Sequence, residues 1–214
     1  MAFVHTIPPA DAEGRVREQY QQAQDRFGYV PNWTQAFSLR PGVLDGWTGL
    51  LRSIQSNLSV RSYELATLAA ARALRSSYCA LAHGSVLADK VFDAATVASI
   101  AAGAPETPLE PGERAVMAFA EKVTRSADQI TSADIEVLRS HGYRDEEIFD
   151  LAAAAAARCF FSKILDALGV PPDSTFNDLD PTLRRALTVG RPVDDLPASR
   201  LPEVVSTAPQ PPGA

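Results

Sequence analysis

What this chain has little of narrows it first. Its 214 residues hold two cysteines, Cys79 and Cys159, too few and too far apart for the disulfide framework of a small secreted domain. A thiol in such a chain is reactive or simply buried, and a reducing cytoplasm is the expected setting. The three histidines, His5, His83 and His141, stand at no metal-ligand spacing with the cysteines, so no metal site and no cofactor is expected. There is no glycine-rich phosphate loop and no nucleotide fingerprint. Lysine and arginine number 20 against 26 acidic residues, a net charge of −6. The basic residues form no cluster, which argues against a nucleic-acid partner. The alanine-rich run from Leu151 to Ala157 falls far short of the roughly 20 apolar residues that span a bilayer. The amino terminus lacks the basic start and apolar run of a signal peptide. No stretch alternates apolar and polar residues with β-branched enrichment, so strands are not expected.

What remains reads as helices. Asp11 to Phe27 is helix-forming, with Gly28 to stop it, and Pro31-Asn32 reads as a turn. Leu44, Trp47, Leu51 and Ile54 make a helical stripe between Val43 and Ile54. Ser59 caps a helix from Val60 to about Leu74, Arg75-Ser76-Ser77 breaks it, and a second runs from about Tyr78 to Lys90. Asp93 opens a short helix ending at Gly103, and Val116, Phe119, Ala120 and Val123 mark a face between Glu110 and Ser126. Ser132 to Ser140 is a short helix closed by Gly142, and a long one runs from Asp145 to Leu168-Gly169, ended by Pro171-Pro172. A short helix can follow Pro181. From Val189 onward six of 26 residues are proline, so the expected division is a helical domain over 1–176 and an extension over 177–214. The extension is expected to be partly disordered or to wrap a neighbouring subunit.

The chemistry concentrates between Glu64 and His83. Cys79 and His83 are four apart and share one face of their helix. Glu64 is the only acidic residue between Arg61 and Asp89, in an apolar segment, and a buried carboxylate needs a partner. Consecutive helices joined by a tight turn pack antiparallel. Glu64 lies about eleven residues before the turn and His83 about eight after it, so a rise of roughly 1.5 Å per residue brings them level. Cys79 falls in the first turn of its helix, where the dipole and free N–H groups favour a thiolate. Ser76 is placed to cap that helix at the Cys79 backbone N–H. His83 can then take the thiol proton, directly or through water, with Glu64 orienting the imidazole.

This spacing resembles the alkyl hydroperoxidase D-like and carboxymuconolactone decarboxylase superfamily. Its peroxidase members carry Glu, then Cys-x-x-Cys, then His four residues later. Glu64, Cys79 and His83 match the Glu, the second Cys and the His; Ser76 replaces the first Cys. Phe27-Gly28-Tyr29-Val30-Pro31-Asn32 is similar to the superfamily's N-terminal region, and the stretch from Phe160 to Val170 to the end of its peroxidase-related branch. The resemblance covers most of residues 20–172. It implies an all-α alkyl hydroperoxidase D-like helical bundle around a central helix hairpin, assembled as a dimer, trimer or hexamer. It also implies a thiol-dependent peroxidase that reduces hydrogen peroxide or organic hydroperoxides. Cys79 would be the nucleophile, His83 its base, Glu64 the group that orients His83, and Ser76 a cap and hydrogen-bond donor to the thiolate.

Serine cannot close the disulfide that the missing cysteine would close. Three routes stay open: Cys79 works alone with an external thiol reductant, Cys159 resolves it, or the pocket performs other chemistry. The last would be a non-redox, decarboxylase-like reaction on a carboxylic-acid or lactone substrate through His83 and Glu64. A catalytically silent oligomeric protein is the third class of reading. The alanines from Ala152 to Ala157 let another helix approach closely, so that helix is expected to be central. Cys159, Trp33 and Trp47 read as core or interface residues.

Overall fold

The computed structural model describes residues 2–202. Ten α-helices and three short 3-10 turns make up the described residues, with one isolated bridge between Val30 and Ser199 in place of any strand. The first helix, α1 (Gly14–Phe27), stops where Gly28 takes the left-handed conformation, φ 80°, that a side chain would oppose. Pro31-Asn32, expected as a turn, is instead the entrance of a six-residue helix, α2 (Asn32–Phe37), because the fixed φ of Pro31 suits the residue before a helix. Next comes α3 (Pro41–Gln55).

The centre of the molecule is α4 (Val60–Ala73), started by Ser59, whose hydroxyl accepts from the Ser62 N–H. Every residue from Tyr63 to Ala71 is buried, so this helix is enclosed all round rather than amphipathic. It packs against α5 (Ser77–Lys90), α7 (Pro111–Ser126) and α9 (Asp145–Ala167). Ala66, Ala69 and Ala70 of α4 meet Ala155 of α9 and Val116 and Ala120 of α7 in one apolar cluster. Small side chains at these contacts let the axes come close. The alanine run of α9 is therefore central, as its composition suggested. Leu138 of α8 (Ser132–Ser140) closes that cluster.

The turn between α4 and α5 has a defined chemistry. Arg75 takes a left-handed φ of 57°, and the Ser76 N–H reaches back to the Ala71 carbonyl, which closes α4 in the manner of a Schellman motif. A non-glycine residue in that conformation needs support from its surroundings. Support comes from the C-terminal segment: α10 (Pro181–Leu187) packs on α5 and α6 (Ala94–Ala102), and the Gly190 N–H donates to Ser77 Oγ at 2.7 Å. A Cβ built on Gly190 would sit 2.0 Å from the Arg75 carbonyl oxygen. Gly190→Ala is thus expected to cost about 2 kcal/mol through overpacking. Thermal unfolding would then start roughly 5 °C lower; an unchanged midpoint would mean that nothing rests on this contact.

The described part of the extension stays on its own chain. Leu183 and Leu187 belong to the main core, the Asp194 N–H donates to the Pro172 carbonyl, and Val30 pairs with Ser199. Leu201 closes a small third cluster with Val16, Tyr20 and Val30. Within the chain, residues 177–202 thus pack against the helical domain through Leu183, Leu187 and Leu201. The rest of the expected tail, 203–214, lies outside the described residues. No helix among the described residues is long and apolar enough to cross a membrane.

Candidate active site

The α4–α5 hairpin delivers the pairing its spacing implies. His83 Nδ1 stands 2.6 Å from Glu64 Oε2, with both side chains nearly buried. A bond to a carboxylate assigns the ring hydrogen to Nδ1 and leaves Nε2 as acceptor. Burial lowers the His83 pKa, Glu64 raises it, and Arg158 lowers it, with burial winning. The imidazole therefore stays neutral below its ordinary titration range. Tyr63 stands edge-on to it, ring centroids 6.0 Å apart.

Cys79 is 1% exposed. Its sulfur is reached from a cleft of about 470 Å³, which Glu64 and His83 also line. No hydrogen bond joins His83 to Cys79 directly; Sγ instead accepts from two groups on α9. Ser162 Oγ lies at 3.1 Å and Arg158 Nη1 at 3.7 Å. The sulfur is thus held between a hydroxyl donor and a guanidinium donor, both from α9.

Ser76 corrects the sequence reading in two respects. It occupies the N-cap position of α5, but its hydroxyl makes no capping bond, and it does not donate to Cys79. Its N–H is already spent on closing α4, and the side chain is directed elsewhere. Asp166 on α9 feels it: burial raises that carboxyl's pKa and Ser76 lowers it. The pair still misses hydrogen-bond geometry, so the Ser76 hydroxyl is buried without a partner. Ser162 takes the place expected of Ser76 at the sulfur.

Other cleft residues were beyond the sequence reading. Arg158 is 4% exposed, its guanidinium 5.1 Å from the Trp47 ring centroid and 5.2 Å from that of Phe161. Trp47, expected as core or interface, is buried in the main core, with Trp33 partly buried against it; both also line the cleft and pack against Phe161. On another wall the Asp173 carboxylate accepts from the hydroxyls of Tyr78 and Tyr29 and from the Asn32 N–H. Burial raises Asp173, and burial with its negative neighbour raises both tyrosines. This knot ties the loop after α9 to α2 and α5 and holds the cleft wall in place. Cys159 is half-buried on α9 and outside the cleft lining, and both cysteines are free. Among the described residues no group of three or more His, Cys, Asp or Glu is placed to hold a metal ion.

Comparison with known proteins places this geometry. No family model matches the chain, and no curated protein does. Solved structures do match. A peroxidase-related protein of uncharacterised activity from Ralstonia eutropha, described as an alkylhydroperoxidase AhpD core, superposes with a TM-score of 0.75 at 25% identity, over 82% of this chain and 94% of that one. A second such protein, from a Silicibacter species, gives 0.73 at 26% identity, over 80% and 92%. A cysteine-to-alanine variant of the debrominase Bmp8, in complex with 2,3,4-tribromopyrrole, shares the fold at 0.65 and 14% identity, over 87% and 98%. The chain is an all-α protein of the alkyl hydroperoxidase D-like superfamily. Within it, the first two of these neighbours are peroxidase-related proteins.

Proposed function

We propose that this protein is a one-cysteine, thiol-dependent peroxidase that acts on organic hydroperoxides. The observation that carries the reading is the Cys79 sulfur at the cleft wall, with two donors trained on it from α9 and the His83–Glu64 pair one turn away. In this reaction His83 Nε2 accepts the thiol proton through an intervening water or the bound substrate, and Ser162 and Arg158 hold the resulting thiolate. The sulfur attacks the terminal oxygen of R–O–O–H, the O–O bond breaks, and the leaving alkoxide takes the proton from His83. The products are a sulfenic acid on Cys79 and an alcohol, a two-electron oxidation of sulfur matched by reduction of the peroxide. Two molecules of an external thiol then return the sulfur to its starting state, releasing water and a disulfide.

The size of the cleft favours organic hydroperoxides over hydrogen peroxide, a molecule close to water in size that occupies about 30 Å³. The fold alone does not choose the reaction, since a debrominase shares it. The test is intact-mass spectrometry after one equivalent of cumene hydroperoxide, with dimedone as a sulfenic-acid trap. One trapped adduct on Cys79 is expected. A loss of two hydrogens linking Cys79 to Cys159 would replace the external thiol as resolver. An unmodified protein would transfer the chemistry to proton transfer by His83 and Glu64, the decarboxylase-like alternative.

A further inference from the structure

The cleft holds more positive charge than its own residues answer. Each acidic group in it is occupied: Glu64 by His83, and Asp173 by two tyrosine hydroxyls and a backbone N–H. The cations are not. Among the described residues Arg158 Nε is buried without a partner, and the only hydrogen bond of its guanidinium is the one to the Cys79 sulfur. Arg26 and Arg52 also line the cleft, and neither has a carboxylate within ion-pair distance among the described residues. In a chain of net charge −6, a cleft lined by three arginines and two carboxylates, with no arginine–carboxylate ion pair in it among the described residues, is a feature of the site.

The position of the outer pair adds a second observation. Arg26, at the end of α1, and Arg52, near the end of α3, also line an adjoining recess of about 390 Å³. The two hollows share Arg26 and Arg52 in their linings, with Phe27, Trp33 and Thr48 also common to both. The cleft that holds Cys79 thus also offers aromatic walls and, where it adjoins the second recess, two cations without a carboxylate partner among the described residues. We infer that the substrate is a carboxylate-bearing apolar hydroperoxide, whose peroxide group lies at Cys79 and whose carboxylate is bound between Arg26 and Arg52. This rests on the proposed peroxidase reading for the reaction, but not for the binding. An aryl acid and a fatty acid share this chemistry: an apolar body with a carboxylate at one end. Guanidiniums suit that group because their forked donors match a carboxylate.

The experiment compares kcat/KM for acid and ester pairs: para-carboxycumene hydroperoxide and its methyl ester, and linoleate hydroperoxide and its methyl ester. Two partly exposed charge contacts are expected to favour the acid by roughly three- to tenfold at low salt. The advantage should shrink as ionic strength rises, since screening over a few ångströms weakens such contacts. It should disappear in the Arg26→Gln/Arg52→Gln double variant, whose changes lie at exposed positions and leave the core intact. Preference within the aryl pair identifies an aryl acid, and within the linoleate pair a fatty acid. Equal use of acid and ester in both pairs, or an acid preference that survives the double variant, would overturn the inference. A parallel arm needs no turnover. Both tryptophans of the chain line the cleft, so their fluorescence reports binding of para-isopropylbenzoate against para-isopropylbenzamide, and of oleate against methyl oleate. Acid-selective quenching lost in the double variant supports the site even if no hydroperoxide is reduced, and unselective quenching removes it.

Discussion

Cys79→Ser is expected to abolish hydroperoxide reduction, lowering kcat/KM by at least about a thousandfold, with the helical circular dichroism unchanged. A hydroxyl in place of the thiol still accepts from Ser162 Oγ and Arg158 Nη1, so the packing around the first turn of α5 survives. What is lost is the polarisable nucleophile, for which an alcohol is no substitute at neutral pH. Peroxide consumption by the variant, measured against the wild-type rate, decides the matter. Retained turnover would remove the sulfur from the reaction.

His83→Ala should lower kcat/KM by about a hundredfold, the usual scale for a lost general base, and the pH profile distinguishes this role from mere packing. The His83 pKa is lowered, first by burial. The wild-type profile should therefore keep its plateau down past the ordinary histidine value of about 6.5 and fall only at lower pH. Glu64 acts in the opposite sense and raises that pKa. Glu64→Gln is accordingly expected to move the acid limb lower still while reducing the plateau, because the ring loses its orienting partner. A limb that moves upward would contradict the pairing. The same shift bears on stability. The unfolded chain binds a proton at His83 before the folded one does, so stability declines as pH falls below about 6.5.

The parts of this site that were legible in the sequence are those set by short-range geometry. Glu64, Cys79 and His83 sit on two helices joined by a tight turn, and helical rise alone brings them together. Helix ends were legible for the same reason, since Ser59, Asp93 and Gly28 act on backbone groups within a turn. Arg158 and Asp173 reach the cleft, and Ser162 the Cys79 sulfur, only through the packing of α9 and the loop after it on the hairpin, which no local pattern encodes. One signal was available for Arg158: it is the only charged residue between Asp150 and Lys163, on a helix otherwise apolar there. Ser76 was misread because capping propensity describes a serine before any helix. Here the Ser76 N–H closes the preceding helix, and its hydroxyl makes no capping bond. The Pro-rich composition of the extension likewise says nothing of the apolar anchors Leu187 and Leu201 within it.

The contact between Gly190 and the Arg75 turn also has a temporal side. A chain emerging from the ribosome exposes the α4–α5 hairpin more than a hundred residues before the segment that braces its turn exists. Asp173, which fixes the facing wall, likewise arrives late. Cys79 is thus synthesised well before the α9 groups that contact its sulfur and the segment that braces its turn. The cleft around it is complete only when nearly the whole polypeptide is available.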